Sequence, residues 1–349
     1  MINFKHLYKR WVNYEFWPYG FFYVPAYFYY FILALKARSL LYFTALNPVM
    51  RFGGTFLSSK EQLLKQLPPQ YLPKSICVDL QEAPERMLHK AVSSGIELPL
   101  IIKPDNAERG KGVEKIESLK ELEHYCSQSK YKKLLVQEYI DYPIELGLLF
   151  YWDLEGKPQI SSLGTKAFCT VTGDGKSTFE KLIRNHPRVA HRAKFLRNKK
   201  DFSLRWDEII PKGEEILVEP IGNHNRGTTF LDGRDKITKA MLDWTSGLLK
   251  QIQGFDYGRI DLKIKDWGAF EKKEGIKILE INGVNSEPIH IYDPNYYLFK
   301  AYKDLFFHMR IIQQLSLKKI KHNQHPSSIK EFQKGYFQSP VKPGQRNYL

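Results

Sequence analysis

Two short segments near the C-terminal end of the chain alternate between apolar and polar residues. The first is Gly258–Ile264 and the second is Ile276–Asn282. A period of two is typical of β-strands, because successive side chains point to opposite faces of a sheet. The intervening residues 265–275 could close the two segments into a hairpin. The sequence therefore predicts two antiparallel strands here, each with one polar face.

The polar face of this hairpin carries acids, an amide and a guanidinium. Arg259, Asp261 and Lys263 share a face of the first strand, and Glu280 and Asn282 share a face of the second. In a symmetric register Asp261 opposes Glu280 and Arg259 opposes Asn282. Oxygen ligands of this kind suit Mg²⁺, which usually takes one or two carboxylates together with substrate phosphates. The alternative is a solvated face that carries ordinary salt bridges.

A lysine and a glycine-rich turn follow an apolar run in the first third of the chain. Lys103 comes directly after residues 98–102, and Gly110 and Gly112 flank Lys111. A lysine that ends a buried strand is well placed to meet a phosphate. Glycines allow backbone N–H groups to approach phosphate oxygens closely. The alternative is an exposed basic turn.

An apolar strand is also expected at residues 134–137, and it leads into Glu138, Tyr139 and Ile140. The backbone of such a segment can present hydrogen-bonding groups to the edge of an adenine. Glu145, a few residues later, can hold a ribose hydroxyl. The alternative is a buried strand followed by a surface acid.

Composition limits the class of protein. The chain has 349 residues, which suggests about two domains. Lysine and arginine outnumber the acidic residues by 53 to 38, a net charge of +15, which favours anionic partners. Three cysteines are too few for a disulfide framework, so a reducing compartment fits best. No signature of a nucleic-acid-binding domain is present, and nucleic acid is not an expected partner.

The N-terminal region contains an uncharged aromatic segment. Residues 16–35 include no charged side chain, and this is the length of a membrane span. However, Pro18, Gly20 and Pro25 interrupt the segment, and its tyrosines favour a membrane interface. Three interpretations remain open: a helical hairpin packed on the rest of the protein, a membrane-interface element over residues 16–48, or a transmembrane helix.

Taken in order, these residues resemble the ATP-grasp superfamily, in particular its D-alanine–D-alanine ligase-like and cyanophycin synthetase-like carboxylate–amine ligases. The resemblance covers about residues 85–300, and the paired Arg-x-Asp and Glu-x-Asn strands are its most specific part. The loop Thr172–Thr178 is similar to one found in cyanophycin synthetase relatives, although it could be a plain surface turn. The run Gly283–Pro288 departs from the Pro-Gly loop of the D-alanine ligases, so D-alanine is not the expected substrate.

The resemblance implies an α/β (α+β) architecture, an ATP-grasp fold in which two subdomains grip ATP. We expect an aromatic-rich helical N-terminal region over residues 1–84 and an ATP-grasp domain over residues 85–310. A basic helix end and tail are expected over residues 311–349.

The resemblance also implies roles for individual residues, and ATP and two Mg²⁺ ions (Mn²⁺ being the alternative ion) as cofactors. The residues that bind ATP are expected to be Lys103 and Lys166 at the phosphates, Gly110 and Gly112 in the phosphate loop, Glu138, Tyr139 and Ile140 at adenine, and Glu145 at ribose. The expected metal ligands are Asp261, Glu280 and Asn282. Arg259 is expected to steady an acyl-phosphate intermediate.

The turn at residues 223–228 follows an expected strand and contains His224 and Arg226. Either cation could bind a substrate carboxylate or the transferred phosphate, and the alternative is a polar turn. We therefore assign catalytic roles to Arg226 and Arg259.

The implied reaction is ATP-dependent activation of a carboxylate as an acyl phosphate, followed by attack of an amine and release of ADP and phosphate. The alternatives are an ATP-grasp kinase that phosphorylates a hydroxyl and a catalytically silent nucleotide-binding protein that docks at a membrane or a partner. The expected location is cytoplasmic, with peripheral contact at the inner membrane face as an open alternative.

Overall fold

The protein is described by a computed structural model, which covers residues 13–56, 63–104 and 112–338. Its strands are β1 (Ser75–Asp79), β2 (Leu100–Pro104), β3 (Glu114–Ile116), β4 (Lys133–Glu138), β5 (Ile144–Trp152), β6 (Pro158–Ala167), β7 (Cys169–Thr172), β8 (Glu215–Glu219), β9 (Thr229–Asp232), β10 (Tyr257–Ile264) and β11 (Ile276–Asn282). Its α-helices are α1 (Tyr19–Phe22), α2 (Val24–Ala37), α3 (Pro84–Ser93), α4 (Leu119–Gln128), α5 (Phe179–Asn185), α6 (Ala193–Arg197), α7 (Lys200–Ser203), α8 (Lys239–Leu249), α9 (Ala269–Lys272), α10 (Leu298–Lys321) and α11 (Ile329–Gln338). Short 3₁₀ turns lie at Tyr14–Phe16, Tyr42–Ala45, Arg51–Gly54, Pro69–Tyr71, Ala190–Arg192, His224–Arg226, Arg234–Lys236 and Ile289–Tyr292.

The larger sheet has five antiparallel strands in the order β11-β10-β5-β6-β9. One of its faces is apolar because Leu146, Leu148, Ile260 and Leu262 all point into a core. Helix α8 covers this core and adds Trp244 to it. The other face carries polar side chains together with the apolar Leu149 and Tyr257, which pack with Leu46 and with Leu315 of α10.

A smaller four-stranded sheet has the order β1-β4-β2-β3. Helices α3 and α4 pack on it, with Met87 and Leu122 in a core that also holds Ile102 and Val136. Strand β1 lies inside the region that the sequence predicted to be helical, so that prediction is wrong for this segment. The strand forms because its backbone pairs antiparallel with β4 along its whole length.

A third unit joins the two-stranded sheet β7-β8 to helices α5 and α6. Phe179 and Trp206 fill its core, and their rings meet edge to face at 5.8 Å. The chain segment from β8 to β9 leaves this unit and returns to the edge of the five-stranded sheet.

The aromatic N-terminal segment is helical, as predicted. Helix α2 packs one side against α10, where the ring of Tyr29 lies 4.7 Å from that of Phe306. The buried side chain of Asn47 then ties the segment to the larger sheet: it donates to the carbonyl of Tyr257 at 2.7 Å and accepts from the N–H of Asp256 at 2.7 Å. Within residues 13–56, 63–104 and 112–338, no helix has both the length and the apolar character needed to cross a membrane.

The described part of the C-terminal region contains more helix than the predicted basic tail. Helix α10 continues to Lys321, and α11 follows it. Phe332 of α11 packs against Phe52 and Phe56 at ring distances of 5.2 and 4.9 Å, which explains why this segment is helical. The mixed α/β architecture with a helical, aromatic-rich N-terminal region is therefore confirmed, whereas the three domain boundaries remain predictions.

Candidate functional site

The predicted hairpin forms with the predicted register. Asp261 pairs with Glu280 and Arg259 pairs with Asn282, so all four side chains lie on the polar face of the five-stranded sheet. After Asp261 the register shifts by one residue, and Leu262 pairs with Ile278. This bulge keeps the next apolar side chains in the core while the carboxylates face the other way.

Five side chains on this face form a continuous network of hydrogen bonds and ion pairs. The carboxylate of Asp261 accepts from Arg259 Nε at 3.1 Å, from Arg259 Nη2 at 3.0 Å and from Asn282 Nδ2 at 3.1 Å. The ammonium of Lys166 lies 2.8 Å from Glu145 and 3.4 Å from Asp261. Asp261 and Glu145 are each only 5% exposed. The structure thus brings together residues from β5, β6, β10 and β11.

Burial and neighbouring charges determine the protonation of this network. Burial raises the pKa of Asp261, but Arg259 and Lys166 outweigh it and lower that pKa to about 2. Burial lowers the pKa of Lys166, but Asp261 and Glu145 outweigh it and raise that pKa. Both groups are therefore charged at neutral pH, and buried charges of this kind are stable only because they are paired.

Glycines shape the centre of the polar face. Gly147 lies opposite Asp261, and Gly164 lies opposite Gly147. A Cβ atom at either glycine would come within 2.4 Å of the side chain of Ile289. The segment after β8 crosses the same face, since a Cβ atom at Gly222 would lie 2.3 Å from Glu145 Oε1. The site is therefore enclosed between the sheet and this segment.

Lys263 is a site residue to which sequence reasoning gave no role. Its ammonium is buried and donates to the carbonyl of Ile140 at 2.8 Å. It also lies 5.3 Å from the ring centres of both Tyr139 and Phe168. The alternation that placed Lys263 beside Asp261 was a usable signal, but the contact of Lys263 with Ile140, two residues beyond β4, joins residues far apart in the chain.

The predicted nucleotide-binding residues of the smaller sheet lie along β2 and β4. Lys103 donates to Gln137 at 3.0 Å, and Glu138 accepts from the backbone N–H of Lys74 at 3.1 Å. Gly112 has a φ of +67°, and a Cβ atom there would lie 2.8 Å from the ring of Pro104. The turn thus requires glycine at this position. Gly110 lies outside the described residues.

Arg226 lies in a second cluster rather than in the network around Asp261. Its guanidinium donates to the carbonyl of Val113 at 2.8 Å and lies 3.6 Å from Glu219. Arg192 forms a 2.7 Å ion pair with the same glutamate. Burial lowers the pKa of Arg226 and also that of the neighbouring His224, to about 4, so this histidine is neutral at pH 7. Arg226 therefore joins the β8–β9 segment to the chain just after the glycine turn.

The chemistry of the donor set fits Mg²⁺. Asp261, Glu280 and Asn282 offer hard oxygen atoms from facing positions, and Mg²⁺ usually needs one or two carboxylates together with phosphate oxygens. In the described part of the chain, no group of three histidine, cysteine, aspartate or glutamate residues could hold a metal ion. A Mg²⁺ ion at this site would therefore take phosphate oxygens as further ligands.

One family model matches part of the chain. The model of the tubulin-tyrosine ligase family matches residues 62–147, which is less than half of the sequence. The matched segment contains Lys103, Glu138 and Glu145 and ends before Lys166 and the hairpin. A search of curated proteins found no match.

Several solved structures are similar to this chain at low identity. A bifunctional glutathione synthetase from Pasteurella multocida is 17% identical over 70% of this chain and 35% of its own, with a TM-score of 0.39. The VanG D-Ala:D-Ser ligase from Enterococcus faecalis is 13% identical over 74% of this chain and 61% of its own, with a TM-score of 0.42. The D-alanine–D-alanine ligase from Coxiella burnetii is 12% identical over 76% of this chain and 57% of its own, also at 0.42. The chain thus spans about a third to three fifths of the length of these proteins.

Proposed function

We propose that the protein is an ATP-grasp ligase that activates a carboxylate as an acyl phosphate and joins it to an amine. The observation that supports this most is on the polar face, where Asp261 and Glu280 occupy paired positions on facing strands. Asp261 there forms ion pairs with Arg259 and Lys166. Phosphoryl transfer depends on positioning and charge neutralisation rather than on a covalent side chain. This face supplies both.

In the proposed site the chain binds ATP between the two larger sheets. Lys103 and Lys166 would contact its phosphates, together with the glycine turn at residues 110–112. Lys166 has three donors and uses one at hydrogen-bond distance for Glu145, so it can also donate to a phosphate oxygen. Glu138 and the backbone of Tyr139 and Ile140 would hold adenine, with Glu145 at the ribose.

The metal-binding and catalytic positions are the hairpin residues. Asp261, Glu280 and Asn282 would hold Mg²⁺, which neutralises phosphate charge when bound. Two of the three nitrogens of the Arg259 guanidinium, Nε and Nη2, already donate to Asp261, so the guanidinium is held in a fixed orientation. We assign it the stabilisation of the developing charge on the acyl phosphate.

We assign Arg226 to the acid substrate or to the transferred phosphate. The test is Arg226→Ala, which we expect to lower turnover at least about 100-fold while leaving ATP binding nearly unchanged. A matched control is Arg184→Ala, because Arg184 is 60% exposed and its ion pair with Glu180 lies at the surface. Equal turnover by both variants would rule out the proposed role.

The reaction itself is tested by trapping. With Mg²⁺, ATP and a panel of carboxylic acids, added hydroxylamine should convert an acyl phosphate into a hydroxamate while ADP forms. Hydroxamate that appears only with ATP and one class of acid supports the ligase. ADP formation with a phosphorylated alcohol and without hydroxamate would instead identify a kinase.

The proposed use of ATP and the presence of free thiols both fit a location in the cytoplasm. Cys126 and Cys169 carry free thiols, and a reducing environment keeps them so. ATP is also supplied in the cytoplasm. We therefore propose a cytoplasmic location, with acid and amine substrates that are small molecules or polymer-linked groups.

A further inference from the structure

The outer face of α2 is an uninterrupted apolar surface. Eight large apolar residues between positions 21 and 40 are exposed: Phe21, Val24, Tyr27, Phe28, Phe31, Ile32, Leu35 and Leu40. Five of them recur at the spacing of one helix face, at positions 24, 28, 31, 32 and 35. Phe28 is 70% and Leu35 78% exposed. Contiguous apolar surfaces of this kind on a folded protein mark interaction sites.

The opposite side of the same helix is already in use. Ala26, Leu33 and Ala34 are buried against the body of the protein, and Tyr29 stacks near Phe306 of α10. The helix is therefore fixed on its inner side, and the outer face needs no further contact to hold the fold. We therefore attribute the apolar character of the outer face to binding of another molecule or surface.

The charges around this face are cationic. Between Phe16 and Asn47 the chain has no acidic residue, and its two charged side chains are Lys36 and Arg38, both exposed at the end of α2. On α10, Lys303 and Arg310 are exposed beside the residues that pack on the N-terminal segment. An apolar strip rich in aromatic rings with a basic rim matches the interface of an anionic bilayer.

We propose that the outer face of α2 binds the surface of an anionic lipid bilayer. The side chains of Phe28, Phe31 and Leu35 enter the boundary between headgroups and acyl chains, and the basic rim contacts the headgroups. A second copy of the chain fits this face less well. In a symmetric interface both copies would contribute the cations Lys36 and Arg38, and neither would offer an acidic residue from positions 16–47 to pair with them.

The test is co-sedimentation of the full chain with vesicles. One set contains phosphatidylcholine alone, and the other contains phosphatidylcholine with phosphatidylglycerol. The site variant is Phe28→Gln with Leu35→Gln. The control is Phe337→Gln with Leu204→Gln, which removes the same side chains at 73% and 82% exposure from other surfaces. Circular dichroism establishes that all chains remain folded.

We expect the wild-type chain to bind the anionic vesicles at least about tenfold more tightly than the neutral ones. The site variant should lose about tenfold or more of this affinity, and the control should retain it. Equal losses in both variants, or no sedimentation of the wild-type chain with either vesicle, would overturn the proposal. It would also be overturned by a wild-type dimer that ignores vesicles and dissociates in the site variant.

A second arm tests the basic rim. Lys36→Gln with Lys303→Gln should weaken binding to the anionic vesicles several-fold and leave the weak binding to neutral vesicles unchanged. Lys157→Gln with Lys239→Gln removes two exposed lysines elsewhere, at 68% and 86% side-chain exposure, and should have a smaller effect. If both pairs weaken binding equally, net charge rather than this surface attracts the membrane, and the proposal fails.

Discussion

Substitution of Lys166 by methionine tests whether the buried network contributes to the free energy of unfolding as much as its geometry implies. The ammonium of Lys166 lies 2.8 Å from Glu145 and 3.4 Å from Asp261, and its side chain is only 8% exposed. Methionine keeps much of the length and apolar volume of lysine, and removes the charge. The carboxylate of Glu145 then loses its hydrogen-bonded cation in a site from which water is largely excluded.

The expected loss is large because the remaining charge stays buried. Removal of one partner from a buried ion pair costs about 3–5 kcal/mol, whereas an exposed pair contributes about 0–1 kcal/mol. We therefore expect Lys166→Met to lower the free energy of unfolding by about 3–5 kcal/mol. The double variant with Glu145→Gln should recover part of this loss, because no uncompensated charge is left.

The chain offers a matched control in Lys157. Its ammonium lies 2.6 Å from Glu155, but the two side chains are 68% and 72% exposed. Lys157→Met should change the free energy of unfolding by less than about 1 kcal/mol. Urea titrations followed by circular dichroism measure both variants. Similar losses for Lys157→Met and Lys166→Met would refute the reasoning, as would a double variant less stable than Lys166→Met alone.

Three further predictions concern the fold around the site. Burial lowers the pKa of His308 to about 3, so on acidification the unfolded state is protonated at a higher pH than the folded state; the contribution of His308 to the free energy of unfolding should fall by about 2 kcal/mol from pH 7 to pH 5, and His308→Gln should remove this part of the pH dependence. Asn47→Ala should lower the free energy of unfolding by about 3 kcal/mol or more in urea titrations, because several buried backbone groups lose their hydrogen-bond partner; a loss below about 1 kcal/mol would contradict this. Gly147→Ala should destabilise by about 1–3 kcal/mol, and Ile289→Val, which removes the clashing methyl, should restore part of it; strictly additive effects would exclude the proposed clash.

The central hairpin could be predicted from sequence because its pattern is local. Alternating side chains determined which residues share a face, and a symmetric register placed Asp261 opposite Glu280. The bulge after Asp261 could not be predicted in this way, because it depends on how Leu262 and Ile278 fit the core below the sheet. The partner of Lys263 could not be predicted either, because Ile140 lies 123 residues away in the sequence.

Other parts of the fold were missed although weak signals were present. Ile329, Phe332 and Tyr336 recur at helical spacing in the C-terminal segment, and this periodicity could have predicted α11. Its position on Phe52 and Phe56 is a tertiary contact that no local pattern contains. Arg226 lies in a turn, as the sequence indicated, whereas its catalytic role stays a prediction. Its pairing with Glu219 depends on the third structural unit and could not be predicted locally.

Calorimetry of Mg²⁺-dependent ATP binding tests the central claim most directly. The site variant is Asp261→Asn with Glu280→Gln. The control, Asp266→Asn with Glu271→Gln, removes two exposed carboxylates from the connection between the same two strands. We predict that the wild-type chain and the control bind ATP only with Mg²⁺, and that the site variant binds at least about tenfold more weakly. Absence of ATP binding by the folded wild-type chain, or equal affinity in the two variants, would contradict the account.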